Sequence, residues 1–191
     1  MNLSKLIRIA LLGAIAGILM ITLHFPLPMF PPFMDIDIAE APAVIAGFTM
    51  GPLAGFYVII IKLIVKLIVQ STSTGMIGEL SNLIVSSALV CTSSYLYRKN
   101  KTVKNAIFSL AVGVISMSVL AALSNYFVIF PLYGLNIPEY AETFSKINPL
   151  VKNTVTFLLI SIIPFNIIKG FLASIVALGL LKPVEKYLNR A

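Results

Sequence analysis

Seven polar side chains stand inside or at the edge of long apolar runs: Lys62, Lys66, Glu79, Asn82, Asn125, Asn166 and Lys169. Ionisable groups in such a setting are costly, and they face a cavity or a partner. Their types suit recognition rather than bond making: a carboxylate accepts hydrogen bonds, an ammonium donates them and an amide does both. Glu79 and Asn82 are three residues apart, as are Asn166 and Lys169, so each pair shares one helix face. If Pro164 opens the last helix, a place in the first turn that proline favours, both pairs lie near outer helix ends. They then converge at one depth from different helices, as the walls of a binding site open to the outside. A start at Thr154 instead would carry Lys169 about 22 Å down the axis, near the inner face and away from Glu79. The Pro164 start is preferred because 164–181 is long enough to span, which leaves 150–163 as a short interfacial or re-entrant segment. The plainer reading is a neutralising Glu79–Lys169 pair in a dry bundle. Lys62 and Lys66 are four apart on one face; they are expected to snorkel or to meet an acid from the first loop, a structural role ahead of a ligand contact.

Little else could do chemistry. There is no G-x-x-x-x-G-K-[ST] phosphate loop, no HExxH and no Ser/His/Asp set. His24 is the only histidine, so no metal site is expected, and Cys91 is the only cysteine, so no internal disulfide is. What these residues describe is a receptor that binds something outside and borrows energy from a partner. A small membrane enzyme acting on lipid, or a channel, are the readings from other classes.

The elements that must position these side chains follow from composition. The chain has 191 residues, 59% hydrophobic and 11% charged, with mean hydropathy +1.00. That is too little polar material to cover a water-soluble surface, so the apolar surface faces lipid. The fold expected is an all-α integral membrane protein forming a single domain over 1–191. Six transmembrane helices are read at about 6–24, 41–50, 53–70, 79–97, 106–131 and 164–181, with a break at Gly51-Pro52. Nine of the fourteen basic residues fall in three clusters: Lys5 and Arg8; Arg98 to Lys104; and Lys182, Lys186 and Arg190. Basic flanks stay on the cytoplasmic side, so both termini and the 98–104 turn are placed there, in a multi-pass protein of a bacterial cytoplasmic membrane. The formal charge of +7 follows from loops facing an anionic leaflet and calls for no nucleic acid. The first apolar run is too long, and lacks the small-residue site, to be a cleaved signal peptide.

Two further segments carry expectations. The loop at 25–40 is rich in proline and aromatic residues; prolines stiffen it, and its apolar side chains, Phe33, Met34 and Ile36 among them, suit a lid over the outer mouth. In the first span small residues recur every four positions, at Ala10, Ala14 and at Gly13, Gly17, a strip against which another helix can lie closely, inside the bundle or from outside it.

The runs Asp35-Ile36-Asp37-Ile38-Ala39-Glu40-Ala41-Pro42-Ala43-Val44-Ile45-Ala46-Gly47-Phe48, Gly51-Pro52-Leu53-Ala54-Gly55, Gly78-Glu79-Leu80-Ser81-Asn82 and Pro164-Phe165-Asn166-Ile167-Ile168-Lys169 resemble the substrate-binding (S) components of energy-coupling factor (ECF) vitamin transporters, most of all the riboflavin-specific ones. The resemblance covers essentially the whole chain. It implies a subunit without its own ATPase that captures riboflavin under the first loop, with no cofactor beyond that transported ligand. It implies docking through Ala10 and Ala14 on a transmembrane coupling subunit that carries two ATP-binding cassette ATPases. It also implies that Glu79, Asn82, Asn166 and Lys169 touch the ligand, with Asn125 or the backbone at Ala46, Gly47 and Thr49 placed to meet ribityl hydroxyls. The same scaffold serving another vitamin or a flavin analogue is the alternative within this class.

Overall fold

A computed structural model describes residues 3–30, 34–72, 74–134, 142, 144–146 and 148–188. The lid residue Phe33 lies outside the described residues. Helix α1 (Leu3–Thr22) leads into a short antiparallel hairpin, β1 (His24–Pro26) and β2 (Asp35–Asp37), in which Phe25 opposes Ile36. This pairing is the one departure from an all-helical chain among the described residues. Helices α2 (Glu40–Met50), α3 (Pro52–Gln70), α4 (Ile77–Tyr97) and α5 (Val103–Ser124) follow. Helix α5 runs on through a π-helical stretch, Asn125–Ile129, into α6 (Phe130–Leu132). The last run begins with α7 (Thr154–Phe157), passes through a second π-helical stretch, Leu158–Ile162, and ends in α8 (Ile163–Leu188).

Among the described residues, five helical runs are long and apolar enough to cross a membrane: 3–22, 52–70, 77–97, 103–132 and 154–184. The segment expected to be the second span is α2, only 11 residues. At 1.5 Å per residue it is about 16 Å long, roughly half the hydrocarbon thickness. Every residue from Glu40 to Phe48 is buried, which is why this segment is apolar all round: it is the central post of the bundle. Its end was legible, for Gly51 adopts φ +101°, closes α2 by donating to the Gly47 carbonyl at 2.9 Å, and hands the chain to Pro52 in the first turn of α3.

The start at Pro164 is corrected. The last helical run begins at Thr154, where Asn153 and Thr156 form a reciprocal capping box. Pro164 lies inside it, two residues after the π-helical stretch, and Pro131 follows the other stretch at the same spacing. A proline in a helix lacks an N–H and clashes with the carbonyl four residues back; widening the preceding turn relieves that clash without ending the helix. The corollary that a Thr154 start would separate Lys169 from Glu79 fails with it. A run of 31 residues is about 46 Å long, longer than the hydrocarbon layer, so its first turns project beyond Lys169.

The small-residue strip on α1 divides. Gly13 and Gly17 face α3: a Cβ at Gly13 would lie 2.5 Å from Ile61 Cγ2, and one at Gly17 2.6 Å from Val65. Ala10 is exposed and Ala14 half-buried, on a side of the helix that also exposes Leu3, Ile7, Leu11 and Ile18.

Candidate functional site

The site is built where the hairpin, α2, α3, α4 and α8 meet. Asp37, at the end of β2, accepts from the Ala39 backbone N–H at 2.9 Å through Oδ1, which turns the chain into α2. Its Oδ2 accepts from Lys169 Nζ of α8 at 2.8 Å. Glu40, in the first turn of α2, lies 3.6 Å from the same ammonium and 3.0 Å from Lys62 Nζ of α3. Lys62 is fully buried and also donates to Asn82 Oδ1 at 2.7 Å and Ser86 Oγ at 3.3 Å. Three donors thus meet three acceptors, which is what a buried ammonium requires. Burial, reinforced by the Glu40 carboxylate, pushes the Asp37 carboxyl above the usual range, while Lys169 and Lys62 pull the other way.

Two adjoining cavities open beside this network, of about 110 and 280 Å³. Asp35, Gly78, Asn82 and Lys169 line both. The inner one has apolar walls that include Met34, Val85, Met117, Ile129 and Phe165. Its polar lining residues include Glu40, Asn82, Asn125 and Asn166, which keep unspent hydrogen-bonding capacity. Glu40 Oε2 is buried and has no hydrogen-bond partner among the described residues. Asn125 and Asn166 donate their Nδ2 to the carbonyls of Ala121 and Ile162, each at 2.8 Å and each four residues back, so each retains Oδ1 as an acceptor. Asn82 does the reverse: its Oδ1 is taken by Lys62 and Ser86, and Nδ2 remains as a donor. Both π-helical stretches serve this arrangement, for Asn125 opens the first and the Ile162 carbonyl closes the second.

Each residue expected in the site can now be placed. Asn82, Asn125, Asn166 and Lys169 line the inner cavity; Glu79 lines the outer one with Asn82 and Lys169. Glu79 and Lys169 do not pair. Glu79 is held by Lys66, and by Thr72 and Thr74 at 3.0 and 3.2 Å, which clamps the α3–α4 turn. Ala46, Gly47 and Thr49 line neither cavity. They are committed to packing: a Cβ on Gly47 would collide with Ser94 Oγ at 2.0 Å, and the Thr49 hydroxyl donates to the Ile45 carbonyl at 2.7 Å. Met34 lines the inner cavity and Ile36 is buried beneath the hairpin, where Phe30 packs edge-on against Phe165 at 5.4 Å. Asp37 and Glu40 were not singled out from the sequence, and Lys62 was given only a partner in the first loop, which proves to be Glu40. The signal was present in the three-residue spacing of Asp37 and Glu40 at the start of an apolar run. No group of metal-ligating side chains occurs among the described residues.

Comparison with known proteins places the chain in a family. The family model for the substrate-specific component of ECF transporters matches residues 4–181. A riboflavin transporter RibU of Staphylococcus aureus (strain TCH60) is 31% identical over 97% of this chain and 93% of its own length. The riboflavin transporter FmnP of Bacillus subtilis (strain 168) is 32% identical over 92% and 89%. A solved structure of the S component of a bacterial ECF transporter superposes with a TM-score of 0.76, at 30% identity over 96% of both chains. With a match over nearly its whole length and the same three-dimensional arrangement, the chain belongs to the substrate-specific components of ECF transporters.

Proposed function

We propose that this chain is the riboflavin-binding membrane subunit of an ECF-type vitamin importer of the RibU kind. The observation that carries the reading is the inner cavity, apolar on much of its wall and lined by Glu40, Lys169, Asn82, Asn125 and Asn166. The pyrimidine edge of a flavin alternates carbonyl acceptors with an N–H donor, and a buried site must satisfy each or lose affinity. Glu40 Oε2 takes the N–H, Lys169 and Asn82 donate to ring oxygen or nitrogen, and Asn125 and Asn166 accept from ribityl hydroxyls. Glu79 guards the rim of the outer cavity. Met34 and Ile36 belong to the lid that covers the ring.

The remaining parts of the reading concern the membrane and the partner. The chain makes six crossings if α2 is counted as a short central one, with both termini cytoplasmic. In support, Lys5 donates to the Met50 carbonyl at 2.9 Å and the Arg98 guanidinium lies near Gly51, so two basic clusters meet at one end of the bundle. Ala10 and Ala14, on the exposed side of α1, dock on a coupling subunit that carries two ATP-binding cassette ATPases; this chain contributes no ATPase. The test is a riboflavin titration of detergent-solubilised protein. Saturable quenching of flavin fluorescence is expected, and a folded protein that leaves the fluorescence unchanged overturns the reading.

A further inference from the structure

One carboxylate beside the two cavities is left without a cation among the described residues. Four carboxylates, Asp35, Asp37, Glu40 and Glu79, stand with three ammonium groups, Lys62, Lys66 and Lys169. Lys169 and Lys62 answer Asp37 and Glu40 at 2.8 and 3.0 Å, and Lys66 answers Glu79. Asp35 has no ion pair among the described residues.

Its position follows from the hairpin. Side chains alternate along a strand, so Asp35 and Asp37 share one face while Ile36, on the other, is buried. Asp35 is exposed and is one of four residues common to both cavities. A ligand filling either space lies beside this carboxylate, whichever end enters first.

We propose that Asp35 is a charge filter, setting the preference of the site for a neutral flavin over its phosphorylated form. The proposal rests on the riboflavin reading. A phosphate monoester carries about −1.5 to −2 charges at neutral pH, and each nearby lysine is already held by a carboxylate. The phosphorylated ligand therefore meets an uncompensated like charge that a neutral ligand does not feel. Repulsion of this kind confers selectivity while leaving the preferred ligand held as before. Because Asp35 is exposed, the repulsion is screened by salt.

The test compares dissociation constants of the full chain in detergent for riboflavin and for flavin mononucleotide, in wild type, Asp35→Asn and Asp35→Lys. The ratio of the two constants is expected to narrow roughly threefold to tenfold in Asp35→Asn and further in Asp35→Lys, through tighter mononucleotide binding. The wild-type ratio is expected to narrow as salt rises from about 20 to about 500 mM, and the Asp35→Asn ratio to respond much less. An unchanged ratio in both variants overturns the proposal. So does a ratio that narrows only because riboflavin binds more weakly. Wild-type protein that binds neither flavin overturns the riboflavin reading itself, a result visible before any variant is made.

Discussion

Lys169 of α8 donates to Asp37 of the first-loop hairpin at 2.8 Å, across 132 residues of sequence. The amine that lines both cavities is therefore also a fastening of the first-loop hairpin. Removing the Asp37 charge leaves Lys169 with Glu40 alone, at 3.6 Å, and frees the hairpin. Asp37→Asn is expected to weaken flavin binding by about 2 kcal/mol or more, chiefly through faster release. Stopped-flow dissociation would show it; an unchanged off-rate would mean the hairpin is held by its apolar contacts.

Lys62 and Glu40 form a fully buried pair at 3.0 Å. Breaking such a pair from one side strands a charge and costs about 3–5 kcal/mol, whereas replacing both partners by apolar groups costs much less. Lys62→Met alone is expected to lower the thermal stability of the purified protein sharply, and Glu40→Leu with Lys62→Met to recover most of it. Additive losses in the double variant would contradict this. The double variant is still expected to bind flavin poorly, since Glu40 Oε2 is gone.

One face of α1 packs against α3 and the other is exposed, and the proposal gives docking to the exposed one. Ala14→Arg places a charge on the outer face and is expected to abolish uptake in cells while the purified protein keeps its flavin affinity. Gly13→Val acts on the other face, where a Cβ already falls 2.5 Å from Ile61; it is expected to reduce the yield of folded protein instead. Intact uptake by Ala14→Arg would remove this face from the partner interface.

Asn166 holds its own helix through Nδ2 and lines the inner cavity, and in the proposed site its Oδ1 accepts from the ligand. Asn166→Ala is expected to weaken binding by about 1–3 kcal/mol, the cost of leaving a buried ligand donor unmet. Calorimetry of the variant against wild type measures this, and equal affinities would take Asn166 out of the site.

How much of this could be read from the chain depended on the range of the interaction. The polar residues Asn82, Asn125, Asn166 and Lys169 stood out because each breaks an apolar run, and the cavity gathers them. The break at Gly51-Pro52 was equally legible, since it depends on two adjacent residues. Pairing was not. Spacing along helices says which residues share a face but not which helices touch, so the plainer reading could pair Glu79 with Lys169 only by charge, when Lys66 and Asp37 are their partners. Pro164 misled for a related reason. Its preference for a first turn is real, yet the π-helical stretch before it accommodates the ring, and the Asn153–Thr156 capping box sets the start at Thr154, ten residues earlier. The backbone at Ala46, Gly47 and Thr49 was assigned to the ligand from likeness, whereas the close packing of α2 on α4 consumes it.

The most direct measurement is equilibrium titration of the purified full-length protein with riboflavin, followed by quenching of flavin fluorescence and repeated with Glu40→Gln and Lys169→Ala. Saturation at one flavin per chain is expected, with affinity lowered at least about tenfold in each variant, the equivalent of about 1.4 kcal/mol. Absence of saturable binding to folded wild-type protein, or undiminished affinity in both variants, would contradict the site described between the hairpin, α2 and α8.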